Sequence, residues 1–223
     1  MKRSTSILLG LLFVFLTSWL LVVLVPYVQL GRLAPDVDDV TQDQTPAAFS
    51  GLAEQGRQIY AANGCVYCHS QQVRSGTVTS DISRKLGERR TVPRDYLRDR
   101  VAYLGVSRMG PDLSNFGARP EDDKGANGEA KPTADWLYTH FYQPEVASPG
   151  TNCPPLPFLF DRRPLTGQPS VEAVQVKGPG APDPHREEVV PTANAKALAA
   201  YLLSLKRTTY KLAEAPEEKA DTP

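Results

Sequence analysis

Residues 56–70 read GRQIYAANGCVYCHS. The second half holds Cys65-Val66-Tyr67-Cys68-His69, a C-x-x-C-H pentapeptide, the spacing used for covalent haem attachment. Two thiols three positions apart on a turn can each add to one vinyl group of the same porphyrin. The histidine beside the second thiol then lies under the iron as an axial ligand, and the tethered haem is a redox centre tuned by its ligands and burial. Two plainer readings are weaker. A thioredoxin-like dithiol needs a βαβ setting, which is absent here. Half a zinc site needs two more ligands at comparable spacing, and none pair up. Cys65, Cys68 and His69 are therefore the candidate residues for one haem c, with His69 as the iron ligand.

The first half of the stretch belongs to a predicted helix, Leu52 to Asn63, on which Leu52, Ile59 and Tyr60 follow i, i+7, i+8 spacing. Gly64 ends it. Further upstream, Ile7 to Val25 reads ILLGLLFVFLTSWLLVVLV without a charge. Extended to Val28 it gives about 22 residues, or roughly 33 Å of helix, against a hydrocarbon core of about 30 Å. Residues 1–30 are thus expected to be a transmembrane anchor in contact with membrane lipid. A cleaved signal peptide is the rival, but the apolar run is too long and no small-x-small cleavage site follows. Gly10, Thr17 and Ser18 interrupt the run. They mark either a helix-packing face or ordinary lipid-facing positions. Lys2 and Arg3 precede the span, whereas Asp36, Asp38 and Asp39 follow Arg32. The positive-inside rule then puts the N-terminus in the cytoplasm and the haem domain outside. The expected location is a bacterial inner membrane, single-pass, with a periplasmic haem domain.

Residues 31–50, polar and acidic, read as a stalk. Residues 51–207 read as one soluble haem domain, and 208–223 as a mobile tail. Within the domain, 75–108 carries Arg84, Lys85, Arg89, Arg90, Arg94, Arg98 and Arg100, either a solvated face or a docking surface. Residues 118–132 are expected to form a loop. DWLYTHFY, residues 135–142, is a short helix ended by Pro144. Residues 162–191 are a Pro/Gly-rich insertion with a small hairpin expected around Val171 to Lys177. Residues 192–206 form an amphipathic helix capped by Thr192 or Asn194, with Leu198, Tyr201, Leu202 and Leu205 on one face. The overall expectation is a mostly α chain with long loop insertions. Lys plus Arg number 25 against 25 Asp plus Glu, which gives no electrostatic reason for a nucleic-acid partner. Three cysteines are too few for a multi-disulfide framework.

Several of these pieces resemble class I cytochromes c. GRQIY (56–60) is similar to their first helix and Ala200-Tyr201-Leu202 to their last. The resemblance implies that Gly56 and Tyr60 meet Tyr201. Gly110-Pro111-Asp112-Leu113 resembles the family's G-P-x-L segment, which implies that the Pro111 carbonyl accepts a hydrogen bond from the His69 imidazole. The plain alternative for this tetrapeptide is a turn.

A closer resemblance covers most of the chain. One membrane helix, then GRQIYAANGCVYCHSQQVR (56–74), RMGPDLSNFGAR (108–119) and DWLYTHFYQPEVASPGTNCPPLPFLF (135–160), follow the order of the mono-haem cytochrome c subunit of cbb-type haem–copper oxidases. The resemblance implies an electron-transfer subunit that forms no bonds in a substrate. Its implied partners are a polytopic oxidase subunit with haem b and copper, and other c-type cytochromes. One departure stands out. Where that family has the methionine that ligates iron, this chain has Cys153. Cys153 as a second iron ligand, Met109 and His140 are the three candidates, and an inert Cys153 beside an open coordination position is a fourth reading. His185 lies in a flexible-looking loop and reads as a bystander. Two functions of other kinds fit the same anchor and haem: a free-standing membrane-bound carrier and a haem-based gas sensor. The cytochrome subunit of nitric oxide reductase is a same-class rival, although its motifs beyond C-x-x-C-H are not seen.

Overall fold

The computed structural model describes residues 2–37, 42–119, 133–178, 181–212 and 215. Asp38 and Asp39 of the stalk, the expected loop over 120–132 and most of the C-terminal tail lie outside the described residues.

The chain opens with α1 (Lys2–Trp19), a wide π turn (Leu20–Leu24) and α2 (Val25–Leu30). Together, Arg3–Leu30 make one continuous apolar helix of 28 residues, none of it covered by the rest of the protein. It is long and apolar enough to cross a bilayer. Thr17 Oγ1 bonds back to the Phe13 carbonyl at 2.8 Å, so this hydroxyl needs no water. The π turn, in which the Val25 N–H reaches the Leu20 carbonyl, sits just before Pro26, which has no N–H to continue the ladder.

The described residues of 31–50 fold against the rest of the chain. Strands β1 (Asp36–Val37) and β2 (Gln44–Thr45) pair antiparallel. Arg98 donates to the Pro46 carbonyl at 3.4 Å and to Gln44, and Arg94 donates to the Ala34 carbonyl. Phe49 closes the stalk edge-on against Tyr201, with ring centroids 5.6 Å apart.

Helix α3 (Gly51–Ala62) starts at Ser50, whose hydroxyl accepts from Ala53 N at 3.2 Å. That satisfies one of the helix's free donors. After it come α4 (Ala134–Tyr142), capped by Thr133, and the single turn α5 (Pro144–Ala147). The last helix, α6 (Ala193–Ser204), is capped by Thr192. Its apolar face is buried as expected: Leu198, Tyr201, Leu202 and Leu205 are all in the core. Less than half of the described chain is helical, and loops carry much of the rest.

The helices α3 and α6 cross at Gly56. A Cβ there would lie 1.9 Å from the Ala197 carbonyl oxygen and 2.8 Å from Tyr201 Cβ. Only glycine lets the backbones approach this closely. Tyr60 and Tyr201 pack beside the crossing with centroids 5.5 Å apart, so the expected Gly56–Tyr60–Tyr201 contact is present.

Three expectations change. The hairpin expected at Val171 to Lys177 does not form. Instead, strands β3 (Phe160–Pro164) and β4 (Glu187–Pro191) pair antiparallel and close the insertion at its base. Phe160, Val189 and Val190 bury one end of this ribbon, whereas Val171 is fully exposed and has no core to face. Arg162–Glu187 and Arg163–Glu188 pair across the ribbon on its two opposite faces. Secondly, the basic segment is not simply a solvated face. Arg89 is 1% exposed and grips Asp95 through two bonds of 2.9 Å. Lastly, the segment expected to be a mobile tail begins in the core: Thr208, Leu212 and Ala215 are buried, and Tyr210 donates to Asp95 at 2.6 Å.

Gly56→Ala is expected to cost about 1–3 kcal/mol by overpacking, read as a fall of several degrees in Tm in a thermal melt. An unchanged Tm would show that the helices can part without penalty.

Candidate functional site

The end of α3 delivers the C-x-x-C-H segment. After Gly64 the chain makes a tight turn over Cys65–Tyr67. The N–H groups of Cys68 and His69 both reach the Cys65 carbonyl, at 3.2 and 2.9 Å. This winding brings the two thiols and the imidazole together. Burial pushes the Cys65 thiol up to about 12, with Cys153 and Cys68 adding to the shift.

The imidazole is held from one side. His69 Nδ1 lies 2.9 Å from the Pro111 carbonyl oxygen. A carbonyl only accepts, so Nδ1 carries the proton and the ring's lone pair is on Nε2. Gly110 presses on the ring, where a Cβ would come within 2.2 Å of His69 Cε1. The Gly110 N–H also donates to the Cys68 carbonyl at 3.0 Å. The hydrogen bond between the His69 imidazole and the Pro111 carbonyl that the G-P-x-L resemblance implied is present.

Cys153 sits on a loop fastened to α4 and α5. Leu156 N donates to the Phe141 carbonyl at 2.7 Å, and Gly150 N to Glu145 at 2.9 Å. The thiol borders an open cavity of about 360 Å³ shared with Tyr142, Gln143, Thr151 and Pro155. Burial raises its pKa, and Cys68 raises it further. The other two candidate ligands are placed less favourably. Met109 is 68% exposed and immediately precedes Gly110, which occupies the same side of the imidazole as Pro111. His140 stacks flat on Trp136, centroids 4.9 Å apart and planes 9° from parallel. His185 lies in the insertion, its N–H bonded to Asp183.

The residues present fit a haem. There are two thiols on one turn, an imidazole with its tautomer fixed, and a glycine face that leaves room for the ring. The sequence matches the family model described as "Cytochrome C oxidase, mono-heme subunit/FixO" over residues 1–217.

The chain belongs to the FixO family.

No curated protein matches it. Membership makes this chain a mono-haem cytochrome c subunit of a cytochrome c oxidase, with other oxidase subunits as its partners. The apolar N-terminal helix suits a membrane-anchored subunit.

The FixO-family site has supporting residues that the motifs did not reveal. Asp112, 2% exposed, accepts from Ser70 Oγ at 2.6 Å, Gln72 N at 2.8 Å and Ser114 N at 2.9 Å. Its carboxylate thereby fastens the segment after His69 to the segment that carries Pro111. Arg108 lies 3.7 Å from the same carboxylate and also pairs with Asp81. Gln71, fully buried, accepts from Tyr201 Oη at 3.0 Å. The only sequence signal for any of this was an aspartate two positions after Gly110, inside a motif already attributed to Pro111.

Asp112→Ala leaves three donors without an acceptor and is expected to cost about 3 kcal/mol in denaturant unfolding. Asp112→Asn keeps one carbonyl oxygen and is expected to cost less. Equal effects would show that the carboxylate's second oxygen does all the fastening.

Proposed function

We propose that this chain carries electrons through one covalently bound haem c to the catalytic part of a cbb-type haem–copper oxidase, which reduces oxygen. Cys65 and Cys68 would hold the porphyrin through thioether bonds, and His69 would bind iron through Nε2. The Pro111 carbonyl holds the proton on Nδ1, and Cys153 would supply a second ligand to the iron. When bound, the haem supplies a reversible one-electron couple. The protein's own part is to orient His69 and to hold Cys153 within reach. The observation that carries the reading is the 2.9 Å bond from His69 Nδ1 to the Pro111 carbonyl, made by a histidine adjacent to a paired-cysteine turn.

The folded stalk supports a fixed subunit over a swinging carrier. Arg94 and Arg98 hold backbone carbonyls of Ala34 and Pro46, so the haem domain does not hang on a free tether. Lys2 and Arg3 before the span and the aspartates after it support a cytoplasmic N-terminus and a periplasmic haem domain in a bacterial inner membrane. The partners in this reading are a polytopic subunit with haem b and copper, other c-type cytochromes, and membrane lipid.

Haem that survives acid–acetone extraction in the wild type, and is extracted from a Cys65→Ala, Cys68→Ala double variant, is the expected mark of thioether attachment. Extraction from the wild type would overturn it. Cys153→Met exchanges an anionic thiolate for a neutral thioether, and the reduction potential is expected to rise, because anionic sulfur stabilises ferric iron. The EPR spectrum of the oxidised wild type is expected to be low-spin with the compressed g spread of thiolate ligation. A spectrum unchanged in Cys153→Ala would remove Cys153 from the ligand set.

A further inference from the structure

Behind the haem-binding segment, between it and the α3–α6 crossing, lies a buried cluster of charged and polar side chains. Gln71 is fully buried, and Arg57 and Arg207 are each 5% exposed. The Asp99 side chain is 1% exposed. Arg207 Nη2 donates to Asp99 Oδ2 at 2.7 Å and to Gln71 Oε1 at 3.0 Å. Arg57 donates through Nε and Nη2 to Glu54, at 2.9 and 2.8 Å. Its cation also acts on Asp99, Tyr103 and Tyr201.

Among the described residues, each of the four has one buried polar atom with no hydrogen-bond partner: Gln71 Nε2, Asp99 Oδ1, Arg207 Nε and Arg57 Nη1. The Gln71 amide cannot be turned over to help. Its Oε1 accepts from both Tyr201 Oη and Arg207 Nη2, and a guanidinium has nothing to offer an amide N–H. Gln71 Nε2, Asp99 Oδ1 and Arg207 Nε are each separated by one carbon from an atom in the Arg207 Nη2 hydrogen-bond set, so these three lie close together. Buried polar atoms in folded proteins are nearly always satisfied, by ordered water where protein does not reach.

We propose that Gln71, Asp99 and Arg207 form an internal water-binding site, with the Arg57 cation nearby. The partner set is two N–H donors, Gln71 Nε2 and Arg207 Nε, and one carboxylate oxygen, Asp99 Oδ1, within the two bonds a water can accept and the two it can donate. Water satisfies both kinds, accepting from the nitrogens and donating to Asp99. A halide or other small anion cannot donate, and it would be repelled by the Asp99 carboxylate. The bound water would solvate the Asp99–Arg207 pair, where burial pushes the Asp99 carboxyl up while Arg207 and Arg57 pull it down and Glu54 opposes them. It would also place a polar layer behind the backbone just after His69, whose carbonyl accepts from Tyr60 Oη at 3.1 Å.

The test is a structure of the full chain, alone or in its oxidase complex, at a resolution that shows ordered solvent. The expected result is density within hydrogen-bond distance of Gln71 Nε2 and Asp99 Oδ1. A dry site, or protein groups closing on those atoms, would overturn the proposal. So would an anomalous peak at the same place after a bromide soak, which would mean an anion. In Gln71→Met the solvent peak nearest position 71 is expected to vanish while the Asp99–Arg207 pair persists. An unchanged peak would exclude Gln71 as a partner and overturn the three-residue site. If Gln71→Met does not fold, the wild-type density decides alone. None of these readouts depends on the identity of the axial ligands.

Discussion

The hydrogen bond between His69 Nδ1 and the Pro111 carbonyl joins residues 42 positions apart, and neighbouring structure is arranged to keep it. The Gly110 N–H is bonded to the Cys68 carbonyl, so the two strands of chain run side by side with glycine as the spacer. Asp112 ties Ser70 and Gln72 to the same segment. Leu113 N returns to the Ser70 carbonyl at 2.8 Å. An imidazole held by a single contact would rotate about its own side-chain bonds. Here the backbone on both sides of that contact is fixed, so ring orientation becomes a property of the fold.

Behind this seam, tertiary structure uses charge where small proteins more often use apolar volume. Arg89–Asp95 and Arg207–Asp99 are both nearly inaccessible, and Tyr210 and Tyr96 close over them as cation–π partners at 5.0 and 4.8 Å. A buried ion pair returns little net stability once desolvation is counted, but losing one partner is severe. Such pairs therefore specify one arrangement of long loops more than they strengthen it. That suits a domain whose residues 70–110 have little regular secondary structure.

The parts legible in the sequence were those written in short-range patterns. The long apolar N-terminal helix, the turn bearing Cys65 and Cys68, and helices α3, α4 and α6 all follow from local periodicity and caps. The Gly56 crossing and the Pro111 contact came from resemblance, because nothing local says which distant carbonyl a histidine will find. The ion pairs were not legible at all. Arg207 meets Gln71 across 136 positions, and Tyr210 meets Asp95 across 115, so an arginine destined for the core looks like any surface arginine. The ribbon β3–β4 was missed for a related reason. Its strands, FDRRP and EEVVP, show no clean alternation, and they pair because their ends are anchored by Phe160, Val189 and Val190.

That ribbon also bears on how the domain tolerates change in length. Pro164 and Glu187 are neighbours across the ladder, so the chain between them starts and ends at nearly the same point, and on the way it is fastened back to the domain by Val174 N on the Val189 carbonyl and by Gln143 on the Lys177 backbone. Lengthening the stretches between those fastenings is felt mainly as closure entropy, about 0.6 kcal/mol for each doubling. Insertions and deletions can accumulate there while the spacing between Cys153 and the paired cysteines stays fixed.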